Sequence, residues 1–148
     1  MYSYYNPYLE NLLVPSLVTV GDYVNIYNND NLNALDFKSL QTVGAMFQIY
    51  SCSGMRSVDL SALTTVGATF NIYASGGYSS SVLNAPALTS VEYLYLQSMY
   101  FETVSFNTLK SVTTDFTVTS SSYLVSIDVG ELSSVGGNGM RVASHHAA

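Results

Sequence analysis

A leucine returns along almost the whole chain at near-constant intervals: Leu17, Leu40, Leu63, Leu88, Leu109 and Leu132, separated by 23, 23, 25, 21 and 23 residues. Three residues after each stands a valine: Val20, Val43, Val66, Val91, Val112 and Val135. Five residues before each leucine lie Leu12, Leu35, Val58, Leu83, Val104 and Ile127, and three before lie Val14, Phe37, Leu60, Ala85, Phe106 and Val129. Self-similarity at such a period marks a repeat architecture, in which no unit can bury its apolar face alone.

Downstream of the valine a second alternating pair appears: Val24 with Ile26, Phe47 with Ile49, Phe70 with Ile72, Leu94 with Leu96, Phe116 with Val118, and Met140 with Val142. Two segments per repeat thus read apolar-polar-apolar, the period-2 pattern of a strand with one buried face. β-branched and aromatic residues fill them, and they are too short for helices. Stacked at the ~4.8 Å spacing of neighbouring strands, such units align their apolar positions into continuous interior columns. Each inward side chain gains about 1.5 to 3 kcal/mol by leaving water. The expectation is an all-β solenoid of about six coils, forming one domain over residues 1–148 with a Tyr-rich segment 1–8 and a tail 143–148 as its ends. The glycine that follows several of the valines (Gly21, Gly44, Gly67, Gly136) is expected to supply a positive φ where the chain turns between strand faces.

The surface that clothes these coils is unusual. Only 9% of residues are charged, the net charge is -6, and there are 13 tyrosines, so neutral polar groups must do most of the solvation. Four Lys and Arg against ten acids argue against nucleic acid, whose binding draws on clustered cations. No apolar run approaches the ~20 residues of a membrane span, so membrane insertion is not expected. Met1 to Pro15 lacks the basic and apolar regions of a secretory signal. Two readings stay open: a chain not exported by that route, or one that begins after a removed signal. The single cysteine, Cys52, reads as a small buried side chain.

The stretch LVTVGDYVNIYNNDNLNALDFKSLQTVG, from Leu17 to Gly44, resembles the leucine-rich repeats of receptor L domains. Segments such as IYSCSGMRSVDLSALTTVG are similar to the BspA-type leucine-rich repeats of microbial surface proteins. The resemblance covers nearly the whole chain and implies a right-handed β-solenoid used for binding or adhesion outside cells.

Stacking in register also places rows of side chains on the outside. One row is Asn25, Gln48 and Asn71, with Thr117 further along; beside it run Tyr27, Tyr50 and Tyr73. An aromatic strip next to amides can stabilise the solenoid edge, dock a sugar ring, or meet a neighbouring subunit. A row on the other strand holds Asp36, Asp59, Asn84, Ser105 and Asp128; Asp36 and Asp59 invite comparison with paired-acid glycosidases, although no histidine, arginine cluster or aromatic platform accompanies them. No nucleophile motif, phosphate-binding loop or metal-ligand spacing occurs, and no cofactor is expected. His145 and His146 fall in the terminal tail, where fraying is the expected state.

Neither end of the repeat array carries a recognisable cap, which points to ends covered by another molecule. The reading is therefore a non-enzymatic structural or adhesive protein of an extracellular or particle surface, self-associating into a filament or coat as a homo-oligomer or larger assembly. A monomeric ligand-binding module of receptor L-domain type, taking carbohydrate or protein, stands second. A polysaccharide-processing enzyme using Asp36 and Asp59 stands third.

Overall fold

A computed structural model describes residues 1–76 and 80–143. Among them there is no helix, and every strand pairing is parallel. Strands are numbered in chain order. One sheet has six members, one per coil: β2 (Asn11–Leu13), β5 (Ala34–Asp36), β8 (Ser57–Asp59), β11 (Val82–Asn84), β13 (Thr103–Ser105) and β15 (Ser126–Asp128). The other has eleven: β1 (Tyr2–Tyr4), β4 (Val24–Tyr27), β7 (Phe47–Tyr50), β10 (Thr69–Tyr73), β12 (Ser90–Gln97), β14 (Ser111–Thr119) and β17 (Gly139–Ala143), together with two-residue strands β3 (Thr19–Val20), β6 (Thr42–Val43), β9 (Thr65–Val66) and β16 (Ser134–Val135). The chain is a β-solenoid of about six turns, each pairing with the turn before and after it.

The repeat in the sequence becomes columns in space. Leu12, Leu35, Val58, Leu83, Val104 and Ile127 are successive register partners in the six-stranded sheet. Val20, Val43 and Val66 stand on neighbouring rungs, as do Val91, Val112 and Val135. Between the two sheets the aromatics interlock: Phe47 stacks on Phe70 at 5.2 Å, and Phe37 and Phe106 meet that pair edge-on at 6.2 and 5.4 Å. All four are fully buried, and aromatic pairs of this geometry contribute about 0.5 to 1.5 kcal/mol beyond area burial.

The two-residue Thr-Val strands add a third segment to most coils. Where glycine follows the valine, that segment and the next are separate strands. Where Glu92 or Thr113 takes the position, the two run together as the long strands β12 and β14, with a register shift between Val91 and Tyr93. The role of these glycines differs from the sequence expectation. Gly21, Gly44, Gly67 and Gly136 do not have positive φ. A β-carbon on Gly44 would overlap the carbonyl oxygen of Gly21, one on Gly67 that of Gly44, and one on Gly136 that of Thr113. Close approach of backbones between coils requires glycine at 44, 67 and 136, not a left-handed turn, whereas Gly21 meets nothing within 4 Å.

The left-handed residues that recur from coil to coil lie elsewhere, and none of these six is glycine: Tyr5, Asn28, Ser51, Ala74, Ser98 and Ser120, with φ between 45° and 56°; Ser80, Gly76, Gly137 and Gly139 have positive φ outside this series. Each of the six directly follows one of the long outer strands, and its N–H continues the ladder to the next coil, as in Asn28 to Tyr50 O at 3.0 Å. The Tyr-rich start is not a loose segment, since β1 adds to the sheet beside β4 and pairs Tyr4 with Tyr27. At the other end Ala143 is the last residue of β17, and the remainder of the tail, with His145 and His146, lies outside the described residues.

Candidate recognition face

The outer face of the eleven-stranded sheet carries the residues singled out from the sequence. Asn25, Gln48 and Asn71 are direct register partners, and the row runs on through Tyr95, Thr117 and Arg141 and begins with Tyr2. Tyr27, Tyr50 and Tyr73 form the adjoining row, which Tyr4 extends at one end and Gln97 and Thr119 at the other. Sequence reasoning missed Tyr2, Tyr4 and Tyr95. The first two fall before the first full repeat, and the contracted fourth coil obscured the third.

The rings of Tyr4, Tyr27, Tyr50 and Tyr73 are stacked at 5.3, 4.7 and 4.7 Å, each pair tilted by only 13°. Inner rings therefore turn their faces to one another and present edges and hydroxyls outward. Among the described residues the amides of Asn25, Gln48 and Asn71 make no hydrogen bond to one another, and Asn25 Oδ1 is buried without a partner. A shallow groove of about 250 Å³ runs between the two rows, lined by Tyr2, Ser3, Tyr4, Asn25, Ile26, Tyr27 and Gln48, with no Asp, Glu, Lys or Arg among them. In the same face the Tyr95 phenol is pushed above its ordinary value by desolvation and by the nearby Asp115 carboxylate.

Behind this face, at the corners of three coils, sit buried polar side chains that sequence reasoning did not find: Asn29, Ser75 and Ser121. Each occupies the position after the left-handed residue. Asn29 donates to Tyr27 O at 3.0 Å and Ser3 O at 3.1 Å and accepts from Asn6 N at 3.0 Å. Ser75 Oγ donates to Tyr73 O at 2.8 Å and accepts from Cys52 N at 3.1 Å; Ser121 repeats the pattern with Thr119 O at 3.1 Å and Met99 N at 3.3 Å. These side chains accept from the N–H groups of Asn6, Cys52 and Met99, which the turn takes out of the sheet, and give a second donor to the carbonyls of Tyr27, Tyr73 and Thr119, which already hold a ladder bond from Tyr5, Ser51 and Ser98. Cys52 fills the same rung, its Sγ 3.5 Å from Tyr50 O. Burial pushes its thiol above the ordinary value of 9.0, which disfavours the nucleophilic thiolate.

On the six-stranded sheet Asp36 and Asp59 are register partners, and each carboxylate is engaged by its own turn. Asp36 Oδ1 accepts from Lys38 N at 3.1 Å, Asp59 Oδ1 from Ser61 N at 2.9 Å, and Asp128 Oδ1 from Gly130 N at 3.0 Å. This is the Asx turn, in which a side-chain oxygen takes the N–H two residues on. Asp36 also faces Lys38 Nζ at 4.0 Å across an exposed surface, a pair of small energetic weight. Among the described residues no group of three or more His, Cys, Asp and Glu converges on a point where a metal could sit, and no helix is long and apolar enough to cross a membrane. Comparison of the chain with family models, with curated proteins and with solved structures returns no match.

Proposed function

We propose that this chain is a non-catalytic structural or adhesive protein of an extracellular or particle surface that assembles with further copies of itself, coil upon coil. The observation that carries this reading is the match from coil to coil. Val24, Phe47, Phe70, Leu94, Phe116 and Met140 occupy one column and Ile26, Ile49, Ile72, Leu96, Val118 and Val142 the next, so a coil of one copy can offer another the pairing it offers its own neighbours. Head-to-tail contact of this kind is heterologous, so it propagates into a filament unless the rotation closes.

Sedimentation over a dilution series tests this. The expected result is concentration-dependent growth that Val142→Lys abolishes. A chain that stays monomeric at the highest concentration, or grows equally well with Val142→Lys, refutes stacking through this end.

The groove beside Tyr4 and Tyr27 favours a second reading, a module that binds a neutral ligand such as a carbohydrate. The rings of Tyr4 and Tyr27 and the amides of Asn25 and Gln48 line one groove, which sets aromatic surface beside amide donors and acceptors. Glycan-array binding lost in Tyr4→Ala, from a monomeric chain, would support it.

A further inference from the structure

We infer that the outer face of the eleven-stranded sheet docks onto the same face of a second copy of this chain, across a two-fold axis near Gln48. This rests on the self-assembly reading above and names a lateral surface distinct from the outermost coils. The first ground is charge. The chain carries a net charge of -6, yet none of its ten carboxylates falls in the Asn25–Gln48–Asn71–Tyr95 row or the Tyr27–Tyr50–Tyr73–Gln97 row. By contrast, Asp36, Asp59 and Asp128 share one row of the six-stranded sheet. Two like-charged copies can approach through these carboxylate-free rows without setting carboxylate against carboxylate, whose juxtaposition costs several kcal/mol.

The second ground is spacing. The tyrosine rings repeat every 4.7 Å along the axis, and only a partner with the same rung spacing can keep rows in step over several coils. A second copy has that spacing by construction. Sheets faced in this way interdigitate amide and aromatic rows into a dry interface. The third ground is unused hydrogen-bonding capacity. Asn25, Gln48 and Asn71 make no bonds among themselves, although they are register partners on neighbouring rungs. A two-fold axis sets Gln48 opposite Gln48 and Asn25 opposite Asn71 of the second copy, so each amide meets another amide. Tyrosine, at the flank of each row, is enriched in such interfaces.

Cysteine cross-linking tests the geometry, because the native thiol of Cys52 is buried. Under mild oxidation Gln48→Cys is expected to form a disulfide-linked dimer by itself. Asn25→Cys is expected to stay unlinked alone and to cross-link when mixed with Asn71→Cys. Gln48→Asp, which puts a carboxylate at the axis, is expected to weaken dimerisation by about tenfold or more with unchanged far-UV circular dichroism. Absence of the Gln48→Cys dimer, or self-linking of Asn25→Cys as efficient as the mixed pair, overturns the inference. So does saturable binding of a neutral oligosaccharide to a chain that remains monomeric. If filaments sensitive to Val142→Lys persist while these dimers fail, only the lateral contact falls. If the dimers form and no filament does, the coil-upon-coil reading falls instead.

Discussion

Gly44 lies so close beneath Gly21 that a methyl group on Gly44 would occupy the place of the Gly21 carbonyl oxygen, whereas a methyl on Gly21 would meet nothing within 4 Å. The two glycines occupy the same position in successive coils, so the sequence presents them as equivalent. The structure does not.

Substitution should expose that difference. Gly44→Ala must push neighbouring backbones apart and is expected to cost about 2 to 4 kcal/mol. Gly21→Ala is expected to change stability by no more than about 0.5 kcal/mol. Urea unfolding of both variants measures the contrast, and equal losses would show that the inter-coil approach is not what selects glycine.

Asn29 carries the densest part of the corner ladder, with two carbonyls and one N–H depending on its amide. Asn29→Ala leaves the Asn6 N–H without its acceptor and removes one donor from Tyr27 O and from Ser3 O, at about 1 to 3 kcal/mol in total. Ser75→Ala removes a hydroxyl serving one carbonyl and one N–H, and is expected to cost less. Thermal unfolding ranks the two, and a Ser75 loss exceeding that of Asn29 would contradict the assignment.

Cys52 gives the fold a pH dependence with a definite sign. Burial raises its pKa in the folded state. Below the ordinary thiol value both states hold the proton. Above it the unfolded chain releases the proton while the folded chain keeps it, so stability falls as pH rises. Cys52→Ser places a hydroxyl where Ser75 and Ser121 already serve other coils, and removes the ionisation. The difference in unfolding free energy between the parent chain and this variant is expected to shift in favour of serine between about pH 8 and pH 10. A pH-independent difference would mean that the thiol titrates alike in both states.

The coil period, the two alternating segments and the interior columns were all legible, because burial forces each of them into a regular apolar spacing. Tyr27, Tyr50 and Tyr73 were legible as a row for the same reason: once Ile26, Ile49 and Ile72 point inward, their neighbours must point out. What escaped is governed by backbone geometry. The left-handed corner tolerates Tyr5, Asn28, Ser51, Ala74, Ser98 and Ser120 alike, so no residue type announces it. The ladder of Asn29, Cys52 and Ser75 uses three different side chains for one task, and a search for repeating identities passes over it. Gly44, Gly67 and Gly136 stand out in the sequence, but spacing does not distinguish a steric gap from a reversed dihedral. The carboxylates of Asp36 and Asp59 looked like a pair, and only the hydrogen bonds reveal that each serves its own turn.

The corner has one more consequence. Because the chain leaves each of β1, β4, β7, β10, β12 and β14 through the same left-handed step, its path after one turn is the path before it, shifted along the axis. Duplicating or excising a unit such as 28–50 would therefore join ends that already share a conformation and a direction. The molecule can become longer or shorter by whole turns without redrawing its cross-section, and its reach along the axis is the dimension most open to change.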